Sequence, residues 1–442
     1  MKIVVIGCTH AGTSAILNIL KKHKEAQITV YERNDTISFL SCGIALYVGG
    51  VVKNQQDLFY CSPEILAEKG VRTKMTHDVL SIDAEKKTLQ IKNKKTQESF
   101  SDSYDKLIIT TGSWPITPKI PGIDLENILL SKSFYHSTDI VEKSKKAKNI
   151  VVVGAGYIGV ELAEAFSENG KNVTLIDGMD KILNKYLDGE FSNMARESLE
   201  EHDIQVALGR SVEKFEGEKG RVTQVVTNKG VYPADLVIMC VGFRPNTEIF
   251  KDKLEMLPNG AILVDEYMRT SAKDVFAAGD CCSVLFNPTG KQMYIPLATN
   301  AIRMGALVAE NIQETKVKYI GTQGTSGIKI FDQHIAATGL TEEVANALNM
   351  DVSTVVIDEE YRPTFMPSHE NIRLKIVYLR ESRVILGAQL ISKVDLTQSI
   401  NTLSVCIQNK MTIDQLAYID FFFQPHYSKP WSFMNLAGLR AQ

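Results

Sequence analysis

Cys42 is a single thiol in the stretch Ser38-Phe39-Leu40-Ser41-Cys42-Gly43-Ile44-Ala45-Leu46-Tyr47-Val48-Gly49-Gly50, with no second cysteine beside it. The pattern predicts Ser41 as an N-cap, a short helix opening at Cys42 and running to Val48, and termination at Gly49-Gly50. A thiol at a helix N-terminus meets the positive end of the dipole, which favours the nucleophilic thiolate. Such a thiolate can cleave a peroxide O–O bond, release water or hydroxide, and become a sulfenic acid. His10 is the second catalytic candidate. At the start of its own helix it is expected to be neutral, able to accept a hydrogen bond from, or pass a proton to, an oxygen bound at the thiol. Cysteines 8, 61, 240, 281, 282 and 406 lie in ordinary strand, turn or helix contexts. The seven cysteines are odd in number and lack metal-ligand spacing, which argues against a disulfide framework or a metal site.

An internal repeat supplies the elements that must position these groups. Ile3-Val4-Val5-Ile6-Gly7-Cys8-Thr9-His10-Ala11-Gly12 recurs as Ile150-Val151-Val152-Val153-Gly154-Ala155-Gly156-Tyr157-Ile158-Gly159. Each copy reads as a strand buried on both faces, a glycine turn, a helix (13 to 22, then 160 to 169) and a second strand (27 to 32, then 172 to 177). The second turn is a full G-x-G-x-x-G through Gly154, Gly156 and Gly159, whose backbone N–H groups and helix N-terminus can hold a pyrophosphate. Asp177 ends the following strand, where a carboxylate binds ribose hydroxyls and repels a 2′-phosphate. No arginine follows in Gly178-Met179-Asp180-Lys181, so NADH is expected rather than NADPH. In the first turn Thr9 replaces the middle glycine, but Glu32 ends its second strand in the matching place. Val275-Phe276-Ala277-Ala278-Gly279-Asp280 adds a strand and tight turn whose aspartate can face a polyol or phosphate.

Further strands are expected at 106–110 and 234–241. Pro115, Pro118 and Pro121 mark the chain leaving the first unit, and Arg244-Pro245-Asn246 marks its return. The expected architecture is α/β: two Rossmann-like dinucleotide-binding domains, one discontinuous (1–117 and 245–313) with the other (118–244) inserted, and a C-terminal α+β domain (314–442). That tail is expected to hold strands at 328–331 and 374–378 and helices near 397–408 and 413–416. The formal net charge of −3 comes from interspersed charges, which argues against nucleic acid as a partner. No apolar run reaches the ~20 residues of a membrane span and Met1 leads directly into a strand, so a cytoplasmic protein without a membrane is expected.

These motifs, from Lys2 to about Trp431, resemble the FAD-dependent pyridine nucleotide-disulfide reductase superfamily. Within it they are similar to the single-cysteine branch of NADH oxidases, NADH peroxidases and coenzyme A disulfide reductases. Two-cysteine members carry C-x-x-x-x-C, whereas the residue five after Cys42 is Tyr47. The resemblance implies FAD in the first domain, NADH in the second, and a homodimer through the tail. It implies flavin contacts at Gly7, Cys8, Thr9, His10, Ala11, Gly12, Glu32, Cys42, Val79, Thr110, Thr111, Gly112, Ser113, Lys132, Asp280 and Ala298. For NADH it implies Gly154, Gly156, Tyr157, Ile158, Gly159, Asp177, Tyr186, Gly242 and Gly327, with Tyr157 covering the flavin face until nicotinamide displaces it. Phe421-Phe422-Phe423-Gln424-Pro425-His426-Tyr427 resembles the family's interface strip. The implied activity is reduction of O2 to water by NADH through a Cys42 thiolate and sulfenic acid cycle. Alternatives are an NADH peroxidase acting on H2O2, then a coenzyme A disulfide reductase, for which Tyr361 resembles a thiol-side tyrosine. Outside enzymes, a flavin and cysteine redox sensor is the alternative.

Overall fold

The computed structural model describes Met1–Ala441; Gln442, the end of the expected tail domain, lies outside the described residues. Two parallel five-stranded sheets are built on one plan. In the first, Lys2–Ile6 lies between Gln27–Glu32 and Lys106–Ile109, with Arg72–Met75 and Val275–Ala277 at the edges. In the second, Asn149–Val153 lies between Asn172–Ile176 and Leu236–Met239, flanked by Gln205–Ala207 and Ile128–Leu130. The central strands are buried on both faces, which is why their sequences are unbroken β-branched runs rather than alternating ones.

The helices after each glycine turn are His10–Lys22 and Tyr157–Glu168. Each begins three residues before its expected start, because the last three residues of each turn motif already form the first helical turn. Gly7 and Gly154 explain the tightness of these turns. Their φ angles are +86° and +108°, and a Cβ would stand 2.5 Å from Thr110 O and 2.3 Å from Cys240 O. Pro115 and Pro245 do not simply break structure as expected. They end the paired strands Ser113–Pro115 and Phe243–Pro245, a two-stranded antiparallel ribbon where the chain crosses between the sheets. A two-stranded ribbon has only edge strands, so proline N atoms need not interrupt a ladder.

The tail carries a five-stranded antiparallel sheet in the order Ser326–Ile330, Gln333–Gly339, Ile385–Ser392, Asn371–Leu379, Val352–Glu360. Helices Ile400–Gln408, Ile413–Leu416 and Phe433–Arg440 accompany it, their apolar residues joining the sheet in one core. This sheet is fastened to the second parallel unit by a buried charge cluster. Lys375, 4% exposed, contacts Asp188 at 3.0 Å and Glu190 and Glu342 at 2.7 Å. Asp188 also accepts hydrogen bonds from the Glu342 and Glu343 amides and from Gln389. Burial works against its charge, but the Glu343 amide, Gln389 and Lys375 outweigh burial and hold its pKa below the usual carboxylate value. Its stabilisation is therefore present above the unfolded carboxylate pKa and is lost as pH falls through the depressed folded value. Lys375→Met removes the buried cation shared by Asp188, Glu190 and Glu342 and should cost about 3–5 kcal/mol, read as an earlier urea midpoint.

Candidate active site

A cleft opens at the C-terminal edge of the first sheet, where an open parallel sheet places its ligand. Gly7, Cys8, Thr9, His10 and Ala11 line it together with Glu32, Val79, Thr110, Thr111, Gly112, Ser113, Lys132 and Asp280. Most of the expected flavin contacts thus converge. Gly12 lies behind the turn, where its would-be Cβ meets Gly7 O at 2.3 Å. Ala298 begins the helix Ala298–Asn311, which packs closely on the first helix at Gly305, whose would-be Cβ stands 2.4 Å from Ala11 O. The two ribose-side acids act alike. Glu32 Oε2 accepts from the Cys8 amide at 2.9 Å, and Asp177 Oδ2 accepts from the Ala155 amide at 2.6 Å.

The cleft fits a flavin dinucleotide. Thr111 Oγ1 is buried without a hydrogen-bond partner and belongs to the lining. The helix His10–Lys22 opens with no side-chain cap, leaving its first N–H groups for an anion. A Cβ on Gly112 would meet nothing within 4 Å, so the backbone there stands open. At the second turn the N-cap is Gly156, again without a side-chain cap and with open space before it.

Cys42 sits where the two units meet. It belongs to a 3₁₀ turn, Ser41–Gly43, followed by the helix Ile44–Val48. Asn169 at the end of the second unit's first helix donates to Val48 O at 2.7 Å, and Gly49 packs against Ala165. The expected cap is absent: Ser41 makes no capping bond, and the turn is closed instead by the Gly43 amide on Leu40 O at 3.0 Å. A five-residue helix offers little dipole, and the expected depressed pKa is not found. Burial pushes the Cys42 thiol up, Lys132 pulls it down, and Glu161 and Asp280 push it up again.

Lys132 is therefore the cation that favours thiolate, a role the sequence had given to the helix. Its Nζ lies 3.2 Å from Ser113 Oγ, 3.4 Å from Asp280 Oδ2 and 4.7 Å from the centre of the Phe243 ring. Lys132→Met should move the pH midpoint of Cys42 alkylation by iodoacetamide upward, with the rate at neutral pH falling. His10 is held toward the neutral form mainly by burial, with Asp280 opposing and Lys132 assisting. The direction is the one expected, but its leading cause is burial and not the start of the helix.

On the second unit, the Tyr157 and Tyr186 rings lie 4.2 Å apart, and the Tyr157 hydroxyl meets Ser326 Oγ at 2.8 Å, next to Gly327. Ile158 follows Tyr157 in the same helix, and Gly242 adopts φ +105°. Glu161, missed in the sequence, has its carboxyl pushed up to about 7 by burial and then by Glu164. It lies four residues after Tyr157, so helical spacing places both on one face, which was the signal available.

Two parallel sheets with matched glycine turns, and a lone cysteine at their junction, define a two-dinucleotide oxidoreductase. The chain belongs to the pyridine nucleotide-disulphide oxidoreductases: that family's model matches residues 1–305, and the model of its dimerisation domain matches residues 325–433. The chain is 56% identical to an NADH oxidase of Enterococcus faecalis over 442 residues, covering all of this chain and 99% of the relative. Its structure resembles that of the water-forming NADH oxidase from Lactobacillus brevis bound to NADH, with a TM-score of 0.98 and 49% identity over 99% of this chain and 97% of that one. The reduced CoADR-RHD of Bacillus anthracis gives a TM-score of 0.95 at 30% identity, covering 99% of this chain and 79% of that one.

Proposed function

We propose that the protein is an FAD-dependent NADH oxidase that reduces O2 to water, with 2 NADH + O2 + 2 H⁺ giving 2 NAD⁺ + 2 H2O. The observation that carries this reading is the lone Cys42 at the junction of the two dinucleotide-binding units, with Tyr47 where a disulfide partner would stand. The two named NADH oxidase relatives support it. Residues 1–117 and 245–313 are assigned to FAD, 118–244 to NADH and 314–442 to a dimer interface. The exposed aromatics Phe422, Phe423 and Tyr427 support the last assignment.

FAD, when bound, would supply the two-electron relay between NADH and oxygen or the oxidised Cys42 sulfur. Glu32 and the first-turn amides would hold its adenosine half, and Thr111, Gly112, Ser113 and Asp280, which line the same cleft, would hold the remainder. Asp177 holds the NADH ribose, and Tyr157, with Tyr186 against it, moves aside for the nicotinamide. Cys42 thiolate, favoured by Lys132, attacks the peroxide formed from O2. An S–O bond forms, the O–O bond breaks, sulfur is oxidised by two electrons, and hydroxide leaves to be protonated to water. His10 hydrogen-bonds to the reacting oxygen. The second NADH supplies the electron pair that breaks the S–O bond, returning Cys42 to thiolate and releasing the sulfenic oxygen as the second water.

Among the described residues no helix is long and apolar enough to cross a membrane. The seven free cysteines are consistent with the cytoplasmic location we assign. The test is sustained oxygen uptake with NADH in an electrode cell, with no oxygen returned on adding catalase. NADH oxidation that is idle in air and starts only when peroxide is added anaerobically would instead establish a peroxidase.

A further inference from the structure

We propose that Tyr60 is a positioning residue for His10: its phenol donates to His10 Nδ1, fixes the imidazole as the Nε2–H tautomer, and makes His10 a hydrogen-bond donor to the peroxide oxygen that departs as Cys42 is oxidised. The chemical consequence rests on the oxidase reading above; the pairing itself rests on geometry. Tyr60 Oη stands 2.9 Å from His10 Nδ1. The two rings are stacked with centroids 5.6 Å apart and planes only 7° from parallel, so the phenol also sets the plane of the imidazole.

The direction of the hydrogen bond follows from the groups around it. A neutral imidazole has one N–H and one acceptor nitrogen, and its partners decide which is which. Burial keeps His10 neutral, and the half-exposed Tyr60 phenol, its pKa raised from its usual value, is protonated near neutrality. A phenol O–H is a stronger hydrogen-bond donor than an imidazole N–H, so a phenol placed against Nδ1 takes that nitrogen's lone pair and leaves the ring proton on Nε2. Among the described residues His10 Nε2 has no hydrogen-bond partner, and the histidine lines the cleft. Its one N–H is thus left for a reacting molecule.

The backbone ties Tyr60 to the reactive thiol. The Leu40 amide donates to Leu58 O at 2.8 Å, Phe39 pairs with Phe59, and Ser38 exchanges hydrogen bonds with both the amide and the carbonyl of Cys61. Tyr60 and Cys42 therefore project from two segments held side by side. When the thiolate sulfur bonds to one peroxide oxygen, negative charge grows on the other. A fixed Nε2–H directed at that oxygen stabilises it without reorganisation. With the proton on Nδ1 instead, His10 would present a lone pair to the departing hydroxide.

The experiment is ¹⁵N NMR of the histidine side chains in FAD-loaded enzyme, with His10 identified by the signal lost in His10→Gln, beside a measurement of peroxide released per NADH. The expected result is a proton on Nε2 alone in the native enzyme. In Tyr60→Phe an Nδ1–H signal appears and peroxide release rises about fivefold to tenfold, the effect of one positioned hydrogen bond. The proposal is overturned by a native His10 protonated on Nδ1, or by a Tyr60→Phe enzyme with native tautomer and native peroxide release. A native enzyme that releases all its oxygen as peroxide overturns the oxidase reading instead, and the tautomer then still decides the pairing.

Discussion

Cys42→Ser should continue to oxidise NADH but release hydrogen peroxide in place of water. Hydride transfer depends on the dinucleotide sites, which the substitution leaves intact, whereas cleavage of the O–O bond depends on the sulfur. A serine hydroxyl keeps nearly the same volume but is not ionised near neutrality and cannot store two electrons as a sulfenic acid. Peroxide then leaves before it is reduced, and NADH consumed per O2 falls from about two to about one, as the loss of one two-electron step requires. Catalase added when oxygen uptake stops should return about half of the oxygen consumed, since each peroxide yields half an O2. A variant that still makes water would remove Cys42 from the mechanism. The same reasoning gives a sign for pH in the native enzyme. Burial raises the Cys42 pKa, so the thiolate fraction grows as pH rises, and any peroxide leak should shrink in that direction.

Asp177→Ala should raise KM for NADH by about 10- to 100-fold, the loss of one or two hydrogen bonds to a charged acceptor. Asp177 accepts from the Ala155 amide through Oδ2 and from the Met179 amide through Oδ1, so it holds the turn; in the proposed function it also offers its oxygens to the ribose. Both roles act on bound cofactor before and during hydride transfer alike, and kcat at saturation should change little. The preference for NADH over NADPH should narrow, because the carboxylate that repels a 2′-phosphate is gone. The measurement is KM and kcat with each cofactor. An unchanged KM for NADH would show that Asp177 serves the turn alone.

The features that could be read from sequence are those set by neighbours along the chain. The two glycine turns, the β-branched strands before them and the acids at Glu32 and Asp177 depend on spacing within each βαβ unit, and the structure places them as spaced. The cap at Ser41 was misread because a cap signal cannot distinguish an α-helix from a 3₁₀ turn closed by Gly43 and Leu40. That error carried the activation of Cys42 with it, since the cation facing the thiol is Lys132, ninety positions away in the chain and recognisable only through family resemblance. Tyr60 gave no sign, because its partner His10 meets it through the pairing of 38–40 with 58–61 rather than through periodicity. The Lys375 cluster was hidden for a similar reason: a lysine in an otherwise apolar strand reads as a surface residue until the acids of Asp188, Glu190 and Glu342 are folded onto it.

The central claim is four-electron reduction of oxygen with the second electron pair delivered by way of Cys42. It is tested most directly by the amount of NADH oxidised for each O2 consumed, followed together in a sealed cell with FAD-loaded native enzyme. The account predicts about two NADH per O2, one two-electron donor for each oxygen atom. A ratio of about one, with peroxide accumulating, would contradict it.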